Sequence, residues 1–190
     1  GRAKQGFTAL QRSDAYRDVV PYYLLQIEFH EGNYRYVVEN GGKLVLRAVP
    51  ERRRELERVT AESWFRLGDF NRTIEHLDAF TAAGGELDRD GSYLMGFSLY
   101  RTARYPEAAE YLRRACGAED ALTQNASYHL ADCYLRAGDK RAAMHAFAMA
   151  ADDRFDATIA EDALFNYGKL QYELGGGAFN GAINVLTRYV

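Results

Sequence analysis

A short turn-like segment recurs along this chain at a nearly constant interval. It reads Glu31-Gly32-Asn33-Tyr34, then Leu67-Gly68-Asp69-Phe70, Thr102-Ala103-Arg104-Tyr105 and Ala137-Gly138-Asp139-Lys140, with a degenerate copy at Gly175-Gly176-Gly177-Ala178-Phe179. The small residues stand at 32, 68, 103, 138 and 175, at intervals of 36, 35, 35 and 37. A tight turn at that period, with helical patterning on both sides, demands a stack of helical hairpins. One hairpin cannot bury its own apolar face; its neighbours must supply the rest of the core.

The apolar pattern shows how the two helices of a hairpin meet. Small residues at Gly96, Ala131 and Gly168 let a second helix come close. Ala108, Ala143 and Ala182 are the matching small positions, and Leu112, Phe147 and Leu186 fill the space beside them. Their spacings keep them on one helical face. Pro50 suits a first helical turn, Asp88 and Asp156 suit N-caps, and Gly84-Gly85 and Gly117 suit helix ends. Gly41-Gly42 is expected to interrupt the second helix of the first hairpin. Residues 2–11 read as the second helix of a preceding repeat. The total expected is about eleven helices and no strands.

These residues resemble the tetratricopeptide repeat family, whose first helix carries a large-x2-Leu-Gly-x2-Tyr pattern and whose second carries Ala-x3-Phe-x2-Ala. The third repeat offers Met95-Gly96 with Leu99, then Ala108, Leu112 and Ala115. The fourth offers Leu130-Ala131 with Tyr134, then Ala143, Phe147 and Ala150, and the fifth Tyr167-Gly168, then Ala182, Leu186 and Tyr189. The second is looser (Ala61, Trp64, Thr73, Leu77, Phe80) and the first loosest (Leu24, Leu25). The resemblance implies an all-α, right-handed α-α superhelix of about five hairpins plus a leading helix. Repeats fall at 14–47, 50–85, 88–118, 121–153 and 156–190 of one array, after a partial repeat at 1–12. A periodic helix reaching Val190 without a polar closing helix leads us to expect a fragment of a longer array, with neighbouring repeats as partners. Segments 125–135, 161–170 and 179–183 look like tetratricopeptide proteins of Gram-negative envelopes, of the Tol-Pal-associated and outer-membrane assembly lipoprotein type. That likeness implies a periplasmic or outer-membrane-associated location.

Composition and motifs exclude several function classes. Lys plus Arg is 24 against 27 Asp plus Glu, a net charge of −3, so the basic excess of a duplex-binding protein is missing and no nucleic-acid partner is expected. No run approaches the roughly 20 apolar residues of a membrane helix. No phosphate loop, nucleophile elbow or paired-histidine motif is present. Gly175-Gly176-Gly177 follows a helix rather than a strand, so it lacks the setting of a phosphate cradle. Asp88-x-Asp90-Gly91-Ser92 faintly suggests a calcium loop, but Leu99 stands where the loop needs Glu. His30, His76, His129 and His145 lack metal-ligand spacing. The chain is therefore expected to be no enzyme and to need no cofactor or metal. Cys116 and Cys133 fit small buried residues. His129 and Asp132, three apart on one helix, are expected to form a surface pair. The charge run Glu51 to Arg58 reads as a solvated helix face.

Fourteen Tyr and ten Phe are many for 190 residues. In the resembled family the first helix of each hairpin lines a concave groove. Carried over, the groove candidates are Tyr22 and Phe29, then Phe65, then Tyr93, Phe97, Tyr100 and Arg101, then Tyr128, Asp132 and Arg136, then Phe165, Lys169 and Tyr172. Aromatic and Arg side chains dominate interface hot spots; the same spacing also fits a core stripe. Tyr93, Tyr128 and Phe165 stand where a chaperone carboxylate clamp would repeat basic residues, which argues against that ligand. The expected function is non-catalytic binding of a protein partner's peptide or helix in the groove. The alternative is a structural spacer or self-assembly segment.

Overall fold

The structure is a computed structural model describing residues 2–10, 16, 19–152, 155–175 and 187. Among the described residues there are ten helices and no strand: α1 (Arg2–Leu10), α2 (Val20–His30), α3 (Tyr34–Val45), α4 (Pro50–Leu67), α5 (Phe70–Ala82), α6 (Arg89–Arg101), α7 (Tyr105–Ala115), α8 (Ala121–Arg136), α9 (Lys140–Asp152) and α10 (Ala157–Glu173). Helices α2/α3, α4/α5, α6/α7 and α8/α9 are four hairpins, and α10 packs on α9 and α8. The expected positions Ala182, Leu186 and Tyr189 lie outside the described residues. The chain divides into two compact units, Gly1–Leu87 and Asp88–Val190.

Each turn owes its shape to the small residue seen in the sequence. Gly32, Gly68, Ala103, Gly138 and Gly175 all have positive φ, between 61° and 82°. The residue after four of them sends its N–H back five residues: Asn33 to Glu28 O, Asp69 to Trp64 O, Arg104 to Leu99 O and Asp139 to Tyr134 O, at 2.8–3.0 Å. That bond closes a left-handed helix end and satisfies carbonyls the helix leaves open. The N-terminal ends are capped by Asp69, Asp88, Asp120 and Asp156, whose carboxylates accept backbone N–H bonds. Pro50 sits in the first turn of α4.

Close helix approach is visible at two glycines. A Cβ on Gly96 of α6 would lie 2.8 Å from the Leu112 backbone nitrogen of α7. A Cβ on Gly41 would lie 2.5 Å from the Thr60 hydroxyl oxygen of α4. The second contact corrects an expectation: α3 runs through Gly41-Gly42 without a break. A glycine inside a helix costs about 1 kcal/mol in propensity, and at Gly41 the packing against α4 overrides it.

In the first unit, Leu25, Val37, Leu56 and Val59 form a buried core, with Tyr22, Phe29, Leu44, Val45 and Ala48 packed against it. Phe7 of α1 stacks on Tyr23 of α2 at 5.2 Å. The charged start of α4 is solvated only in part: Leu56 and Glu57 are buried, and the Glu57 carboxylate meets Nδ1 of His76 at 2.6 Å. In the second unit, Met95, Leu99, Ala108, Leu112, Leu130, Ala131, Ala143, Phe147 and Ala163 are buried along α6 to α10.

A polar device recurs where one hairpin passes to the next. Arg54, Arg89 and Gln124 stand 35 residues apart on α4, α6 and α8. Each donates to a carbonyl at or near the end of its own hairpin's second helix: Arg54 to Gly84 O (3.3 Å), Arg89 to Ala115 O (2.8 Å) and Gln124 to Ala150 O (3.2 Å). Arg89 also grips Asp120, the N-cap of α8, which holds that carboxyl down to about 2. Gln124, fully buried, also donates to Asp156 O and accepts from Asp156 N at the α10 N-cap.

Two substitutions test these turns and contacts. Gly96→Ala should destabilise by about 1–3 kcal/mol, because backbone rather than a flexible side-chain tip must move; an unchanged Tm would mean that α6 and α7 relax freely. Ala103→Gly should do the opposite. Ala103 alone among the described non-glycine residues carries positive φ, a conformation costing an L-residue about 1 kcal/mol. Its replacement should raise the denaturant midpoint, and a lowered midpoint would refute the strained-turn assignment.

Candidate functional site

The first helices α6, α8 and α10 of successive hairpins lie side by side in the second unit. Tyr93, Phe97 and Tyr100 follow one face of α6, since residues three and four apart are neighbours on a helix. Tyr93 stacks on Phe97 at 5.8 Å between centroids. The His129 ring of α8 meets Phe97 and Tyr100 at 4.9 Å each and Tyr128 at 5.5 Å. Its Nδ1 is buried with no hydrogen-bond partner. Burial holds the imidazole down to about 4, well below its ordinary value. The expected His129–Asp132 surface pair is therefore corrected. The histidine is enclosed by rings, and the carboxylate serves other groups.

Those other groups close a ring of four side chains. The Tyr100 hydroxyl donates to Asp132 Oδ2 at 2.9 Å, and Arg136 Nε donates to the same oxygen at 2.8 Å. The Arg136 guanidinium lies 4.7 Å from the centroid of Tyr105, and Tyr105 meets Tyr100 edge-on at 5.9 Å. The cycle ties α6, α7 and α8 together. Burial, with the Asp132 bond second, pushes the Tyr100 phenol up to about 12. Tyr128 makes the next link: its hydroxyl donates to Asp162 of α10, and its ring meets Phe147 at 5.8 Å.

The candidate aromatics thus divide by what they touch. Phe29, Phe65 and Tyr100 stand at equivalent repeat positions, three residues before the left-handed turn. Each meets, edge-on, the aromatic that follows the turn: Tyr34 at 6.0 Å, Phe70 at 5.8 Å and Tyr105 at 5.9 Å. Tyr22 and Phe29 also lean on the core of the first unit. Tyr93, Phe97 and Tyr128 are part-buried in the floor between α6 and α8. Arg101, Arg136, Phe165, Lys169 and Tyr172 are exposed, Phe165 at 43% and Tyr172 at 60%. Arg101 lies over Phe97 at 5.7 Å, and Lys169 stands 4.0 Å from Glu173.

Sequence reasoning missed Tyr105, His129 as a ring-enclosed group, and Asp162. The aromatic that follows the turn was the available signal for Tyr105. Among the described residues no group of three or more His, Cys, Asp or Glu could hold a metal ion. No helix among them is long and apolar enough to cross a membrane. Cys133 is buried, and burial pushes its thiol up to about 12.

His129 gives the face a pH signature. In the unfolded chain the imidazole takes a proton near its ordinary 6.5, whereas in the folded chain it does so near 4. Between those values the unfolded state binds more protons, so stability falls as pH falls from about 6.5 to about 4. At about 1.4 kcal/mol per pKa unit the loss is about 3 kcal/mol. His129→Phe should fill the same space without a proton site and flatten that slope. Equal slopes for the two proteins in denaturant titrations at pH 7, 6, 5 and 4 would refute the enclosure of His129. The Asp120 carboxyl, held near 2, titrates below this window.

Comparison with known proteins supports the architecture. The tetratricopeptide repeat profile matches residues 125–153, the α8/α9 hairpin. No curated protein matches the chain in sequence. Among solved structures, the chain is similar to YrrB, a tetratricopeptide-repeat protein with an unusual peptide-binding site. There the TM-score is 0.73 at 15% identity, over 96% of this chain and 90% of that one. It is similar to the MamA protein with a TM-score of 0.67 at 18% identity, over 92% of this chain and 91% of that one. It is also similar to BtubC (BKLC) from P. vanneervenii with a TM-score of 0.64 at 16% identity, over 99% of this chain and 85% of that one. The chain accordingly has the all-α fold of tetratricopeptide-repeat solenoids, with a recognisable tetratricopeptide repeat at residues 125–153.

Proposed function

We propose that this chain is a non-catalytic scaffold that holds a peptide or helix of a partner protein on the face made by α6, α8 and α10. The observation that carries the reading is the arrangement of that face. A part-buried aromatic floor (Tyr93, Phe97, Tyr128) is held in place by the stacking of Tyr93 on Phe97 and by the bond from Tyr128 to Asp162. Beside it stand exposed rings (Phe165, Tyr172) and exposed cations (Arg101, Arg136, Lys169). Interface cores favour aromatic and Arg residues, and a floor fixed beforehand spares the ordering cost of binding. The fold likeness to a peptide-binding tetratricopeptide-repeat protein agrees with this use. A periplasmic setting belongs to the proposal and rests on the wording of the repeats; fractionation of cells expressing the full-length protein tests it.

The binding test is selection of a displayed peptide library on the protein, followed by affinity measurement with the double variant Phe165→Ala/Tyr172→Ala. Selected peptides should bind the variant about tenfold more weakly or worse, because truncating an aromatic hot spot costs about 1–2 kcal/mol or more. Helicity should be retained in the variant. Undiminished affinity would move the site off this face. Failure to select any peptide would favour the spacer reading.

A further inference from the structure

The first unit carries a second surface, remote in sequence from the aromatic face and independent of the function proposed for it. The start of α2, the end of α3 and the start of α4 enclose a cleft of about 270 Å³. Its walls are Pro21, Tyr22, Leu44, Ala48, Val49 and Leu56, and Arg47 and Arg52 stand at its edge. Pro21 and Leu44 also line a neighbouring cleft of about 200 Å³, where Lys43 and Tyr36 stand. Two apolar wells thus share one ridge, and three cations border them.

The charges here lack the partners common elsewhere in the chain. Arg52 lies over the Tyr22 ring at 5.4 Å, a contact that leaves its N–H donors unused. Among the described residues, Lys43, Arg47 and Arg52 have no carboxylate within ion-pair distance. The nearby Glu55 is engaged by Arg58 at 2.7 Å. Lys43 lies in the last turn of α3 and Arg47 in the turn that follows it. Val49, a wall of the larger cleft, is exposed at 52%, and Leu46, next to Arg47 in sequence, at 81%.

Size decides the occupant. Small-molecule pockets run from roughly 300 to 1,000 Å³, and each well here falls below that range. Each well suits a single large side chain, and the bordering cations suit carboxylates next to it. We infer that this edge of the first unit binds an acidic peptide segment, with bulky apolar side chains seated in the two wells and flanking carboxylates on Lys43, Arg47 and Arg52. The charge complementarity selects the sign of the partner, and the wells select its apolar anchors.

The test is fluorescence anisotropy with labelled hexapeptides bearing a central Leu-Phe pair. One carries two glutamates on each side, the other two lysines. The acidic peptide should bind at least about tenfold more tightly than the basic one, and more weakly as salt rises. Arg47→Glu/Arg52→Glu, with helicity and Tm checked, should abolish the preference. Leu44→Ser, also checked for folding, should weaken the acidic peptide without altering the salt dependence. Phe165→Ala/Tyr172→Ala should change nothing here, which separates this site from the α6–α8–α10 face. Equal binding of both peptides, or an undiminished preference in the charge-reversed variant, would overturn the inference. So would capture by phosphatidylglycerol vesicles without binding of the acidic peptide.

Discussion

Every hairpin in this chain must end in carbonyls that its second helix cannot satisfy, at the point where the backbone crosses to the next hairpin. At three such junctions the closure comes from outside the turn. Arg54, Arg89 and Gln124 reach from the first helix of a hairpin to the end of its second, donating to Gly84, Ala115 and Ala150. In two of the three cases the same side chain also engages the next N-cap, Asp120 or Asp156. A buried donor or acceptor left open costs about 1–3 kcal/mol, comparable to burying a large apolar side chain. At α8 and α10 the stapled junction therefore fixes where the first helix begins.

The aromatic surplus follows from the same economy. Phe29, Phe65 and Tyr100 close their own hairpins against the ring beyond the turn. The hydroxyls of Tyr100 and Tyr128 carry bonds between first helices, to Asp132 and Asp162. A phenol suits this work because its ring packs while its tip finds a partner. These rings therefore serve structure first. In the second unit Tyr93, Phe97 and Tyr128 are part-buried among such contacts, so their rotamers are already set.

Much of the fold was legible because its determinants are local. A left-handed turn wants Gly, and all five recurring small residues have positive φ. The Asp88 and Asp156 caps and Pro50 are likewise decided within a few residues. What could not be read depends on partners far along the chain. Gly41-Gly42 carries the local signature of a break, yet Gly41 is where α3 presses on Thr60. His129 and Asp132 have the spacing of a helical pair, but rings from α6 enclose the one and the Tyr100 hydroxyl takes the other. The staple at 54, 89 and 124 keeps its period while changing its residue type, so a motif search passes over it. Of the candidate site, the choice of first helices was legible, but the split between packed and exposed rings was not.

Net charge is a poor guide to what such a chain attracts. The total of −3 averages over 190 residues, whereas exposed charges act over about 8 Å at physiological salt. In the second unit many cations are already answered: Arg89 by Asp120, Arg104 by Glu107, Arg113 by Glu110, Arg136 by Asp132 and Lys140 by Glu173. A partner there must compete with these carboxylates and gains more from the rings. Around Pro21 and Leu44 the balance is reversed: the cations have no internal competitor and the apolar wells are small. The two surfaces therefore differ in chemistry within one chain, the aromatic face offering rings beside cations already paired, the edge near Pro21 and Leu44 offering unpaired cations beside small clefts.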